Sequence, residues 1–207
     1  MPGLSKNSGD YKVDLRQFFF KFRGLTPVPL VLIVLIFARP TAASFFWGIL
    51  FMLIGELIRF WGVAYAGGAT RTRKVGASTL VTNGPFAYVR NPLYIGNIFI
   101  YSGAGIISNT WLPWLLFLIW FFFALQYHLI VKLEEEKLQE LFGNSYLEYK
   151  SKVPRFFPRL SPLKSENPVS PDFVNALKSE KSTFISMVVI LLLMGGKMFL
   201  FSNTIIR

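Results

Sequence analysis

Residues 44–66 form an unbroken apolar run in which only Glu56 and Arg59 carry charge. A run of that length can cross the hydrocarbon layer of a bilayer as a helix. Comparable runs follow at residues 92–108, 111–131 and 183 to about 203, and a shorter one at 30–38 must recruit residues from about 22 onward to reach across. With 53% hydrophobic residues and mean hydropathy +0.45, the chain is too apolar for an ordinary soluble domain. The fold class that follows is all-α: a multi-pass membrane protein with about five transmembrane helices, turned at Arg39-Pro40-Thr41 and at Ser108-Asn109-Thr110.

A formal charge of +11 raises the question of nucleic acid. The cations lie beside apolar runs and no nucleic-acid motif accompanies them, so anionic lipid headgroups are the partner this charge predicts. The absence of cysteine excludes disulfides and thiolate metal sites, and one histidine leaves little for an imidazole cluster, so no metal is expected.

The chain reads as one integral membrane domain over 1–207: a cytoplasmic segment 1–24, a helical hairpin 25–66, a central region 71–160, a proline-rich surface linker 161–182 and a final helix 183–203. No cleavage pattern precedes the first apolar segment, which is therefore expected to be retained. Lys and Arg number five in 1–24, four in 67–92 (Arg71, Arg73, Lys74, Arg90) and nine in 132–182, against Arg39 and Arg207 in the opposite segments. The positive-inside rule then places the N-terminus and both charged segments in the cytoplasm. Within the spans, Glu56 and Arg59 can pair at i, i+3 and form a polar cavity wall or a structural pair. Tyr94, Asn97 and Tyr101 share one face of their helix, and Gly96 and Gly103 lie roughly opposite, where they permit close approach of a neighbour. Lys197 is expected to reach outward from the last span with its ammonium.

Two stretches on the predicted cytoplasmic side carry chemistry. Residues 78–96 have two prolines, two glycines and no acid, and lead through Asn91-Pro92 into a helix start, which offers N–H groups and a positive dipole end to a polar ligand. Residues 133–158 form a charged amphipathic helix expected to break at Gly143-Asn144, resume near Tyr146 and end at Val153-Pro154. By itself Glu134-Glu135-Glu136 reads as a solvated helix face, and His128, one turn before Lys132, as an interfacial anchor or a general base.

Together the two stretches resemble the membrane methyltransferases that include isoprenylcysteine carboxyl methyltransferase and the phospholipid N-methyltransferases. The matching residues are Gly84-Pro85, Arg90, Pro92, Tyr94 and Gly96 in the first stretch, and Glu134-Glu135, Leu138, Phe142-Gly143, Tyr146, Tyr149 and Val153-Pro154-Arg155 in the second. The resemblance covers roughly residues 71–160. It implies S-adenosyl-L-methionine as cofactor, held by Ser78, Thr79, Leu80, Val81, Phe86, Asn91, Pro92, Leu93 and Tyr94 with Glu134 or Glu134 and Glu135 together; Arg90 and Glu135, with His128 from its place at the end of its span, are the catalytic candidates. Asn91 stands where the family has histidine. An amide can donate a hydrogen bond but cannot carry a proton near neutral pH, so any proton transfer must use another group. The prenylcysteine enzymes use an arginine about one turn before the acidic motif; Ile130 occupies that place here, which leaves the acceptor atom open among oxygen, nitrogen and sulfur. The implied function is methyl transfer to an apolar, membrane-partitioned acceptor. A membrane-embedded reductase of the sterol type and a non-catalytic membrane scaffold are the alternatives.

Overall fold

The computed structural model describes residues 14–67 and 78–205, with side chains through residue 200. Residues 1–13, the loop residues Arg71, Arg73 and Lys74, and Arg207 lie outside the described residues. Every regular element described is helical: α1 (Leu15–Lys21), α2 (Val28–Phe37), α3 (Ala42–Ala66), a 3-10 turn (Gly84–Ala87), α4 (Pro92–Ser108), α5 (Trp114–Lys152) and α6 (Phe173–Ile205).

Helices α3, α5 and α6 are long and apolar enough to cross a membrane, and α2 and α4 are shorter apolar helices, giving five apolar elements. The first is not extended by residues 22–27 as expected. Those residues turn, Pro27 and Pro29 start a new helix, and α2 is ten residues long, about 15 Å at 1.5 Å per residue. Segment α1 instead lies along α5, fastened by Arg16 to Glu136 and by hydrogen bonds that tie Thr26 and the Arg23 carbonyl to Gln126. Thr41 and Ser44 cap each other's backbone at the start of α3, which fixes the turn from α2. At that end Arg39 N donates to Ser108 O, so the α2–α3 and α4–α5 turns share one end of the bundle.

The tightest packing is between α3 and α4. A Cβ on Gly55 would lie 2.6 Å from Gly96 O, and one on Gly103 2.5 Å from Gly48 O, so backbone meets backbone. Small residues permit that approach, and Gly96 and Gly103 make it as their spacing suggested; the partner seam, Gly48 and Gly55 on α3, has the same seven-residue period. Around it, Met52, Ile107, Ile119, Phe123, Ile130 and Met194 form a core contributed by α3, α4, α5 and α6.

Three further expectations are corrected by the described structure. The final helix begins at Phe173 rather than Thr183, because Ala176 and Glu180, one turn apart, bury against the bundle while their neighbours face outward. The segment before it is no free linker: Arg159 N donates to Tyr88 O, Leu163 N to Ala87 O and Asp172 N to Ala64 O, and Asn83 exchanges two hydrogen bonds with the Val169 backbone. Lys197 does not reach outward, since its ammonium donates to the carbonyls of Leu35 and Ile36, each at 2.7 Å, and closes the C-terminal end of α2.

Candidate active site

The first stretch folds as a shaped loop. Gly84 has φ +61°, and a Cβ there would press to 2.7 Å against the Tyr65 ring, so only glycine fits the turn. Asn91 is the N-cap of α4 and Pro92 its first residue, where a missing N–H costs nothing. The Asn91 amide does not cap its own helix; it donates to Arg155 O at 3.1 Å, in the second stretch.

That second stretch continues α5 beyond its apolar part and breaks at Gly143 (φ 52°, ψ −125°), as the sequence predicts. The break turns Tyr146, Tyr149 and Val153 back against Leu80, Leu138 and Phe142. Tyr149 donates to Phe86 O at 2.8 Å, and Arg90 N donates to Pro154 O.

At the centre of this contact sits Glu135, 5% exposed. Its Oε1 accepts from Arg90 Nη2 at 2.8 Å and Arg155 Nε at 3.0 Å, and Oε2 accepts from Arg155 Nη2. Burial works to raise this carboxyl, but the two guanidiniums hold it below the usual carboxylate range. The remaining donors of Arg90 reach the carbonyls of Lys150 and Val153, both at 2.7 Å. Arg90 and Glu135 thus spend their polar atoms on joining the two stretches.

Glu134 is placed differently. Its Oε1 accepts from Tyr94 OH at 2.8 Å, and its partial exposure is toward the cavity it lines. It lies past the apolar part of α5, and burial pushes it up to about 7 although Tyr94 and Arg23 work in the other direction. A carboxylate so placed gains much from a cationic ligand.

The cavity below it measures about 1180 Å³. Its polar end is formed by Thr79, Leu80, Val81, Phe86, Arg90, Asn91, Pro92, Leu93, Tyr94, Glu134 and Glu135, with Tyr146 and Tyr149. The rest of it runs between α2, α4, α5 and α6 and is walled mainly by apolar side chains such as Leu30, Val34, Ala104, Ile119 and Ile190, with Ser182, Thr183 and Ser186 of α6 beside them. The expected face of Tyr94, Asn97 and Tyr101 lines the passage between them and also packs: Tyr94 lies 4.4 Å from Tyr127 and Tyr101 4.5 Å from Phe123, ring centroid to ring centroid. Arg59 forms part of the wall, pairing with Glu56 at 3.7 Å, donating to Asn97, and holding both oxygens of Glu180 at 3.0 and 2.9 Å.

Of the residues singled out from sequence, Ser78 is exposed and stands outside this lining, and His128 is exposed on a different face beside Lys132. The remaining ones converge on the polar end. Sequence reasoning missed Arg23, Arg155 and Glu180. Arg155 was visible as the last residue of the Val-Pro-Arg motif, Glu180 as one turn from Ala176, and Arg23 had no signal beyond its charge.

A helical membrane protein whose polar site joins a proline-led helix start to an acidic pair on another helix is the class defined by this arrangement. The sequence profile described as phospholipid methyltransferase matches residues 43–145, and the chain belongs to that family. It is 30% identical over 120 residues to the cobalt-zinc-cadmium resistance protein CzcN of Cupriavidus metallidurans, covering 58% of this chain and 51% of that protein. It is 30% identical over 125 residues to the protein-S-isoprenylcysteine O-methyltransferase of Xenopus laevis, covering 58% and 42%. It is 31% identical over 114 residues to the protein of the same name in Schizosaccharomyces pombe, covering 52% and 47%. The chain spans about half the length of these curated relatives.

Proposed function

We propose that the chain is an S-adenosyl-L-methionine-dependent methyltransferase acting on an apolar acceptor that partitions into the membrane. The observation that carries this reading is the contact between Tyr94 and Glu134, which brings both stretches of the resemblance to the polar end of a cavity with an apolar other end. At about 1180 Å³ the cavity exceeds the roughly 300–1,000 Å³ of a typical small-molecule site, so a cofactor and an acceptor headgroup fit together.

The residues present suit the cofactor. Glu134 would accept from the ammonium of its aminoacid tail, the start of α4 would take the carboxylate, and Phe86 with Leu80 and Val81 would pack on the adenine. The cofactor supplies a methyl group on a positively charged sulfur. Arg90 and Glu135 act as positioning residues that hold Asn91–Tyr94 against the acidic helix, and the passage lined by Tyr94, Asn97 and Tyr101 aligns the acceptor and excludes water. His128, away from the cavity, has no part in this arrangement. The acceptor's chain occupies the apolar arm and reaches it laterally from the bilayer. The clustering of Lys and Arg supports a cytoplasmic location for the N-terminus and the site.

Calorimetry with S-adenosylhomocysteine on the purified chain in detergent tests the reading. Saturable binding to one site is expected; its absence would overturn the assignment. Methyl transfer from labelled cofactor to total membrane lipid then identifies the acceptor.

A further inference from the structure

Behind the Glu135 clamp, a second cavity of about 300 Å³ opens where α5 leaves its apolar run. His128 and Lys132, one turn apart, meet Lys150 and Arg155, which the break at Gly143 brings back to them. Two carboxylates border the pocket, and both are engaged. Glu135 is held by Arg90 and Arg155, and Glu136 takes Arg16 Nη1 on both oxygens at 2.8 Å. Lys150 Nζ reaches Glu135 only at 3.7 Å, and Lys132 has no ion pair among the described residues. The pocket therefore holds more positive charge than its own carboxylates compensate.

An oxyanion with several acceptor oxygens is the ligand that satisfies two ammoniums, a guanidinium edge and an imidazole converging from different segments. The depth is also suitable. Lys132 follows directly on Val131, the last residue of the apolar run, and basic pockets at that level take lipid headgroups. We propose that this pocket binds a phosphate group, carried by an anionic phospholipid headgroup or by a soluble phosphate compound. The inference does not use the methyltransferase reading. It has a consequence for the site, because an oxyanion here shares Arg155 with Glu135 and so touches the clamp on Arg90.

The test uses the full chain in a maltoside detergent, titrated with dioctanoyl phosphatidylglycerol, with inorganic phosphate, and with the lipid in the presence of inorganic phosphate. The wild type is compared with the double variant Lys132→Gln, Lys150→Gln. The charge-matched control is Lys137→Gln, Lys152→Gln, whose lysines pair with Glu140 and Glu148 elsewhere on the surface. Circular dichroism and thermal melting verify that each variant is folded. Saturable binding is expected, at least tenfold weaker in the double variant and unchanged in the control. Competition by inorganic phosphate assigns the site to phosphate from either source, whereas binding of the lipid without competition assigns it to the headgroup. Equal affinity in the double variant, an equal loss in the control, or no saturable binding of either probe would overturn the proposal. S-adenosylhomocysteine binding, followed on the same samples, separates failure here from failure of the methyltransferase reading.

Discussion

Two neighbouring carboxylates one residue apart on α5 are given opposite tasks by their surroundings. Glu135 is charged and committed to two guanidiniums, whereas Glu134 sits near neutrality facing the cavity. Glu134→Gln keeps the shape and removes the charge, losing a charge-assisted hydrogen bond worth roughly 1.5–3 kcal/mol. S-adenosylhomocysteine affinity should fall by about one to two orders of magnitude at 1.4 kcal/mol per tenfold, as read by calorimetry. Because burial raises this carboxyl to about 7, the unliganded chain increasingly holds it neutral as pH drops through that value, and only the ionised form accepts an ammonium. Wild-type affinity should therefore weaken from pH 8 to pH 6, and the glutamine variant should lose that slope. The same raised value contributes folding stability that is fully present below the ordinary value of 4.5 and is lost as pH rises through about 7. Arg90→Lys is not conservative, since it gives up the contacts of Nη2 and of Nε, the latter at 3.2 Å, to Glu135 and those to both carbonyls; with a buried partner left poorly compensated, about 3 kcal/mol of stability should go, visible as an earlier thermal transition. Most of these residues were legible from the two motif stretches. Their division of labour was not, because nothing in Glu-Glu-Glu says which side chain the break at Gly143 will surround with cations.

Among the elements, the α3–α4 seam is where a single methyl group matters most. Gly55→Ala and Gly96→Ala each place a Cβ about 2.6 Å from a facing carbonyl. Such overpacking costs typically about 1–3 kcal/mol, so each variant should melt earlier in detergent. Gly196→Ala has open space around its Cβ and should melt as the wild type does; equal losses at all three positions would refute a specific seam. The period-seven glycines of α4 could be read from sequence, but their partner could not, since the spacing of one helix does not name the helix it meets. The apolar runs gave the five elements because lipid leaves few other folds. The helical start of α6 was hidden by charge: residues 173–182 read as linker until Ala176 and Glu180 are seen to bury. A polar helix held by burial of one narrow stripe leaves a weak sequence signal.

At the scale of the whole molecule, the two stretches lie together and the α2–α3 and α4–α5 turns share one end. Single cysteines at Ser161 and Asn109, both exposed, should be labelled from opposite faces of the membrane, Ser161 from the cytoplasm. Labelling of both from one face would refute the topology. The apolar arm predicts chain-length dependence: each methylene removed from the acceptor should lower kcat/KM by about fourfold, at 0.8 kcal/mol per buried CH₂, until the chain no longer enters. Equal turnover of a chainless headgroup analogue would refute lateral access. A last consequence lies in α5, which passes from Val131 to Glu134 without interruption and bends only at Gly143. Three residues at 1.5 Å each set Glu134 about 5 Å along the helix from the edge of the apolar run. The helix is thus a depth gauge. On the proposed methyltransferase reading, an acceptor would be presented at one altitude in the bilayer, and selectivity among membrane molecules would be set by where along its length each one carries its reactive atom, before any side chain inspects its identity.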